Sequence, residues 1–97
     1  MIIDLKKFGT ILTSRQSGKE ALAAFSPNFE SLAAAEKIYV DFTGLDVFSP
    51  SWGDEFLTAL YRKFGSRLIL RPTHNSSVQA TLVMLEKVNR ISFQREK

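Results

Sequence analysis

The sequence predicts an α/β fold in which a small sheet is covered by helices. Two short apolar runs, within Lys37–Phe42 and Arg67–Arg71, have the length of buried strands. Between and after them, apolar residues recur every three or four positions, which is typical of helices that pack one face against a core. The predicted order is strand, helix, strand, helix, strand, helix, and this alternation is typical of α/β layers.

The composition limits the classes of protein to which the chain can belong. With 97 residues, of which 44% are hydrophobic and 24% charged, we expect one domain over residues 1–97, with a core of about residues 2–90. The absence of cysteine excludes disulfides and thiolate chemistry. The start MIIDLKKFG is too short and too charged for a signal peptide, and no apolar run reaches the ~20 residues of a membrane span. We therefore expect a cytoplasmic protein without a membrane partner.

The net charge of +3 raises the question of nucleic-acid binding. Eight of the basic residues fall in the last third of the chain: Arg62, Lys63, Arg67, Arg71, Lys87, Arg90, Arg95 and Lys97. They form no continuous run, and no aromatic residues alternate with them, so the pattern disfavours nucleic acid. A nucleic-acid or small-ligand-binding module that uses this basic third is kept as the alternative function.

The first third of the chain predicts a strand and then a helix. Weak alternation over Met1–Phe8 favours a short edge strand, which Gly9 ends. The stretch Thr10–Phe25 reads as a loop that leads into a helix. Two capping boxes overlap at its start, Thr13 with Gln16 and Ser17 with Glu20. Ser14-Arg15 lies beside them, with Ser14 as a cap and Arg15 either as a solvated charge or as a neighbour of a phosphate.

The dipeptide Ser26-Pro27 ends this helix and can begin another. Ser26 would be the N-cap and Pro27 the first residue of a second helix over Asn28–Glu36. A loop with a single helical turn is the alternative.

The strand in Lys37–Phe42 is predicted to be central and parallel, because its nearly continuous apolar run suits burial on both faces. Asp41 interrupts the run, and a carboxylate at the end of a buried strand needs hydrogen-bond donors. We expect backbone amides of the following loop to supply them, which gives Asp41 a structural role. Thr43-Gly44 marks the turn.

The loop after this strand leads into the most distinctive helix of the chain. Ser49 can be its N-cap with Pro50 at the first position, or Ser51 can be the N-cap with Asp54 completing a capping box. Leu45, Val47 and Phe48 are expected to return to the core. A core-facing stripe then recurs every four residues, and Gly65 ends the helix; the stripe consists of Trp52, Phe56, Leu60 and Phe64.

The last third predicts a strand, a helix and a frayed tail. Pro72 ends the strand in Arg67–Arg71, and the candidate caps of the next helix are Asn75, Ser76 (in a box with Gln79) and Ser77. This helix is expected to end at Asn89 or Arg90. Its core residues are predicted to be Val78, Leu82, Leu85 and Val88, supported by Val83 and Met84. The tail Ile91–Lys97 is expected to fray, with Ile91 and Phe93 as the residues that could pack back.

The residues of known catalytic templates are missing, so we expect no enzymatic activity, no cofactor and no metal site. His74 is the single histidine, which leaves a Ser–His triad or a histidine metal cluster without support. The five glycines are scattered and form no phosphate-binding loop. Asp54 and Glu55 are neighbours on a helix, so their side chains point about 100° apart and make a poor acid–base pair. Ligands of open α/β sheets bind outside the carboxyl ends of the strands, where Thr43–Asp54 is expected to lie.

The segment VDFTGLDVFSPSWGDEFLTAL resembles the central motif of STAS domains, the fold of anti-sigma factor antagonists. In that motif a strand that ends in Asp is followed by a small polar residue, a Gly, an apolar return and a serine that opens a helix. Asp41, Gly44 and Ser51 occupy these positions. The spacing of the motif, preceded by the segment Gly9–Arg15, is similar to that of bacterial STAS-like domains of unassigned function, and the resemblance covers Ile3–Val88.

The resemblance implies a fold, a partner and a switch. The fold would be a small mixed sheet covered by helices, and the partner a histidine-kinase-like ATPase or anti-sigma-type protein. Such a partner would phosphorylate Ser51 and thereby change what the domain binds. The interface candidates on this basis are Thr43, Asp46, Ser49, Ser51, Trp52, Asp54 and Glu55. Asp54 and Glu55 depart from the antagonist motif, which has small or apolar residues there, and their charges would repel a phosphate. A domain that keeps the docking surface without the phosphorylation switch is therefore the alternative.

Overall fold

The computed structural model describes residues 1–97 and shows an α/β fold. Its strands are β1 (Ile2–Asp4), β2 (Ile11–Leu12), β3 (Ile38–Asp41), β4 (Val47–Phe48), β5 (Leu68–Leu70) and β6 (Gln94–Arg95). Its helices are α1 (Arg15–Phe25), α2 (Pro50–Gly53), α3 (Ala59–Phe64) and α4 (Ser76–Asn89). A π-helical segment, Asp54–Thr58, joins α2 to α3 without a break, and we call the whole of 50–64 the central helix.

The main sheet has the order β1-β3-β5-β6, so β3 is internal and β1 lies at an edge, as predicted. Val40 on β3 pairs with Ile3 on one side and Leu70 on the other, and all three side chains are buried. A second, two-stranded sheet pairs β2 with β4. All these pairs are parallel, whereas we expected a mixed sheet. Helical crossovers between successive strands of the main sheet explain the difference. Each crossover returns the chain to the same end of the sheet, so the next strand runs in the same direction.

The first strand is shorter than the predicted Met1–Phe8. It ends at Asp4, whose carboxylate accepts a hydrogen bond from the Lys6 N–H at 3.2 Å and so caps a 3₁₀ helix over Leu5–Phe8. Leu5 still reaches the core, as the alternation indicated, but from this 3₁₀ turn.

The predicted helix over Asn28–Glu36 is wrong, and the alternative of a short turn is nearer to the structure. A 3₁₀ helix, Ser26–Ser31, follows α1 directly. The Ser26 hydroxyl donates a hydrogen bond to the Leu22 carbonyl at 2.7 Å, so it belongs to the end of α1 and does not cap a new helix.

The caps of α1 and α4 come from residues other than the predicted box pairs. Ser14 caps α1 by accepting a hydrogen bond from the Ser17 N–H at 3.0 Å, so neither predicted capping box forms. Asn75, one of three candidates, caps α4 through the Val78 N–H at 3.0 Å, and the Ser76 box is therefore wrong. None of the helices is long and apolar enough to cross a membrane.

One core of 20 buried residues fills the space between the sheet and the helices. The predicted stripe of the central helix faces it, and Gly65 ends that helix as predicted. Four predicted core positions are wrong, because these side chains point outward: Val47 is 39% exposed, Met84 50%, Val83 62% and Val88 72%. They lie on the parts of β4 and α4 that are not packed against the core.

The tail does not fray as predicted. Gln94–Arg95 forms β6 and pairs with β5, and the Glu96 N–H donates to the Leu70 carbonyl at 2.8 Å. Phe93 is buried, with its ring centroid 5.6 Å from that of Tyr61. The aromatic anchor and the backbone ladder together hold the tail against the domain.

Candidate functional site

The first turn of the central helix is fixed by Ser49. Its hydroxyl accepts a hydrogen bond from the Trp52 N–H at 3.2 Å and donates one to the Thr13 carbonyl at 2.6 Å. Of the two predicted helix starts, the one with Ser49 as N-cap and Pro50 at the first position is therefore confirmed, and the box of Ser51 with Asp54 is not formed. Ser51 lies inside the first turn, where it is half-buried and does not cap the helix.

Two glycines let neighbouring helices approach this turn closely. A Cβ added to Gly18 of α1 would lie 2.7 Å from the Trp52 carbonyl oxygen, and one added to Gly53 would lie 3.0 Å from Cδ1 of Leu85. The start of the central helix is thus held between α1 and α4. A glycine inside a helical pattern is the sequence signal for such contacts, although it does not reveal the neighbour.

A groove of about 230 Å³ opens beside Ser51, between the central helix and α4. We call it the Ser51 groove; its lining residues are Arg15, Pro50, Ser51, Asp54, Met84, Leu85, Val88 and Asn89. Met84 and Val88 give it an exposed apolar side. No hydrogen bond of the chain involves the Ser51 hydroxyl, and Ser51 lines the groove.

The polar side of the groove is organised by Arg15. Its Nη1 lies 3.1 Å from Oδ2 of Asp54 and 3.0 Å from Oε1 of Glu55. Hydrogen bonds to Glu55 and then to Asp54 raise the pKa of Arg15 above its ordinary value. One of the two predicted helix starts gave Asp54 a capping role, but the structure joins both carboxylates to one guanidinium. One net negative charge remains on the three side chains.

Asn89 extends this network across to α4. Its side-chain amide donates to Oδ1 of Asp54 at 3.4 Å and to the Leu85 carbonyl at 2.9 Å, and its oxygen accepts from Arg62 at 2.9 Å. Asp54 also opens the π-helical segment, a wider helical turn that is frequent at functional sites. The sequence did not reveal the α4 side of the groove, because Met84, Leu85 and Val88 fitted a core-facing stripe and Asn89 a helix end.

Asp41 and Gly44 build the loop at the carboxyl end of β3. The Thr43 N–H donates to Oδ1 of Asp41 at 2.8 Å, which confirms the predicted backbone partner, and Nη1 of Arg71 lies 3.4 Å from Oδ2. Hydrogen bonds from Thr43, by its hydroxyl and its N–H, lower the pKa of Asp41, and Arg71 adds to the effect. Gly44 adopts φ 86°, and a Cβ there would lie 2.7 Å from Cδ of Lys6. Both residues therefore shape the turn.

The structure separates the predicted interface residues. Thr43 and Asp46 are exposed but lie outside the Ser51 groove, while Ser51 and Asp54 line it. Trp52 is wrong as an interface residue, because its side chain is fully buried among aromatic rings and cannot reach a partner. Its place in the four-residue apolar stripe already indicated the core.

Half of the eight basic residues of the last third are bonded within the chain. Arg62 bonds to Asn89, Arg67 to the Glu36 and Ala33 carbonyls, Arg71 to Asp41, and Arg95 to Glu86. No three His, Cys, Asp or Glu side chains are grouped so that they could hold a metal ion. These four arginines thus bond to separate groups within the chain and do not form one basic surface.

A comparison with protein families gives one match. A family model described as a STAS-like domain of unknown function (DUF4325) matches residues 28–77, just over half of the chain. The matched segment contains the Asp41 loop, Ser51 and the two carboxylates of the groove. No curated protein and no solved structure shows a significant match.

Proposed function

Because the chain belongs to the family of STAS-like domains of unknown function, we propose that it is a regulatory module that acts by binding another protein. The partner we propose is a histidine-kinase-like ATPase of the anti-sigma type. Phosphorylation of Ser51 by that ATPase is the proposed switch between bound and free states.

The observation that carries the proposal is the position of Ser51. Its hydroxyl is free, sits in the first turn of a 15-residue helical stretch over 50–64, and borders a groove with an apolar side. Helix N-termini favour added negative charge, because their N–H groups and dipole are positive there. A phosphate on Ser51 is thus compatible with the local fold.

The apolar side of the groove explains how a phosphate would change binding. Met84 and Val88 expose 50% and 72% of their surface, and a partner side chain that covered them would also approach Ser51. A phosphate adds a charge of about −1.5 to −2 at neutral pH. Removing that charge from water inside an interface is unfavourable, so phosphorylation is expected to release the partner.

Intact-mass spectrometry tests the acceptor. The purified chain is incubated with a histidine-kinase-like ATPase from the same genome and with ATP, and we expect the mass of one phosphate to be added. Ser51→Ala should abolish the addition. Ser76→Ala, which changes another serine in the first turn of a helix, should leave it intact. An unmodified wild-type chain, or undiminished phosphorylation of Ser51→Ala, would rule out Ser51 as the acceptor.

A further inference from the structure

We propose that Arg15 is the counter-ion of a phosphate on Ser51. In the unmodified chain its guanidinium bonds to Asp54 and Glu55, and after phosphorylation it would bond to the phosphate instead. This inference rests on the proposed function, because it assumes that Ser51 becomes phosphorylated. In that step ATP supplies the phosphoryl group: the bond from Ser51 Oγ to phosphorus forms, the bond to the ADP oxygen breaks, and the hydroxyl proton is released to solvent.

The helix geometry brings Arg15 within one turn of Ser51. Asp54 and Glu55 follow Ser51 by three and four positions, and side chains with this spacing are neighbours on a helix surface, with Cβ atoms about 5–6 Å apart. The guanidinium that bonds to both carboxylates therefore lies over the same face as the Ser51 hydroxyl. Arg15 and Ser51 also line the same groove.

The resting contacts of Arg15 can be exchanged readily. Its side chain is 56% exposed, and exposed ion pairs contribute little to stability because water screens them. The position of Arg15 is itself unfavourable for α1: it is the first residue of that helix, where the dipole disfavours a cation, and the first turn has no acidic residue. Helix stability therefore does not explain an arginine here.

A phosphate on Ser51 competes well for this guanidinium. It carries about −1.5 to −2 charge and three acceptor oxygens, and arginine can bond to it in a bidentate manner. The same movement offsets part of the repulsion between the phosphate and the carboxylates of Asp54 and Glu55, because it places a cation next to the phosphate. Phosphorylation would then rearrange the whole polar side of the groove and uncover the two carboxylates.

Phosphorus NMR of a chain that carries genetically encoded phosphoserine at position 51 tests the pairing without any ATPase. The titration midpoint of the phosphate, ordinarily about pH 6, is followed in the parent and in Arg15→Gln. A nearby cation favours the dianion, so loss of Arg15 should move the midpoint to higher pH. Lys19→Gln removes the same charge one turn further along α1, from an exposed side chain, and should leave the midpoint nearly unchanged.

The carboxylates provide the second arm of this experiment. In the double variant Asp54→Asn, Glu55→Gln, the resting partners of Arg15 are gone, and the effect of Arg15→Gln should be at least as large as in the parent. Equal midpoints with and without Arg15, or equal effects of Arg15→Gln and Lys19→Gln, would overturn the pairing. So would an Arg15 effect that disappears in the double variant, since Arg15 would then act only through the carboxylates.

The two proposals fail in different experiments. A wild-type chain that the ATPase leaves unmodified contradicts the proposed function. A phosphate on Ser51 whose titration midpoint does not depend on Arg15 contradicts only the ion-pair exchange. Circular dichroism of each variant verifies the fold, and we expect it unchanged because the substituted side chains lie at the surface or rim of the groove.

Discussion

The guanidinium of Arg15 lies 3.1 Å from the carboxylate of Asp54, although the two residues are 39 positions apart in the chain. This contact joins the first residue of α1 to the second turn of the central helix. It exists because α1 and the central helix pack closely at Gly18, which lets their starts lie side by side. The charges near Ser51 therefore depend on α1, a helix that is distant from Ser51 in the sequence.

Replacement of Gly18 by alanine tests this close packing. Helix propensity alone would favour Gly18→Ala by about 1 kcal/mol. The added Cβ would however lie 2.7 Å from the Trp52 carbonyl oxygen, and relief of such a clash costs about 1–3 kcal/mol. We expect a lower free energy of unfolding in urea. Ala24→Gly, at an exposed site of the same helix, reports the propensity effect alone. A stabilised Gly18→Ala would show that the contact is not tight.

Two buried threonines should respond in opposite ways to replacement by valine. The Thr81 hydroxyl donates to the Phe48 carbonyl at 2.5 Å, whereas the Thr58 hydroxyl is buried without a partner. Thr81→Val should cost about 1–2 kcal/mol, because it removes the main donor to a buried carbonyl. Thr58→Val should be neutral or stabilising, because an unsatisfied hydroxyl leaves the core. Thermal unfolding of both variants measures the difference, and equal destabilisation would contradict it.

The C-terminal strand should contribute strongly to stability. Phe93 is 4% exposed and packs edge-to-face on Tyr61, so Phe93→Ala should cost about 3–5 kcal/mol. Ser92→Ala, at an exposed neighbour, should change stability by less than about 0.5 kcal/mol. Urea denaturation compares the two. Wild-type stability in Phe93→Ala would indicate that the tail is detached in solution.

The free energy of unfolding should depend on pH below about pH 4, because Asp41 becomes protonated there. Its pKa in the folded chain lies below its ordinary value, because Thr43 and Arg71 favour the charged form. The stabilisation is thus complete above the unfolded pKa of about 3.9 and is lost as the pH falls through the folded value. Asp41→Asn should cost about 1 kcal/mol at neutral pH and progressively less below about pH 4. Asp46→Asn, at an exposed carboxylate without a partner, is the control. A cost that stays constant with pH would contradict this role.

Local sequence signals predicted the centre of the domain. The apolar run at Ile38–Asp41 identified the internal strand, and Pro50 after Ser49 identified the start of the central helix, because both features act through neighbouring residues. The Asp41 contact with the loop was predictable for the same reason. Ser51 could be placed in the first turn, although the groove beside it could not be foreseen.

Features that depend on distant contacts could not be predicted. Gln94–Arg95 has no apolar alternation, and it becomes a strand only because the β5 backbone is available beside it. Ser14 was one of several possible caps of α1, and the sequence could not show that it would be used in place of the two capping boxes, because it lacks the usual acidic or amide residue three positions later. Met84 and Val88 fit the helical period of a core face, but they line the open groove beside the central helix and stay exposed.

The most direct test of the central claim is the affinity of the ATPase for the chain with and without a phosphate on Ser51. Isothermal titration calorimetry would compare the unmodified chain with the chain that carries phosphoserine at position 51. We expect the unmodified chain to bind and the phosphorylated chain to bind at least about tenfold more weakly, a difference of about 1.4 kcal/mol. Equal affinities, or absence of binding by the unmodified chain, would contradict a regulatory module that is switched at Ser51.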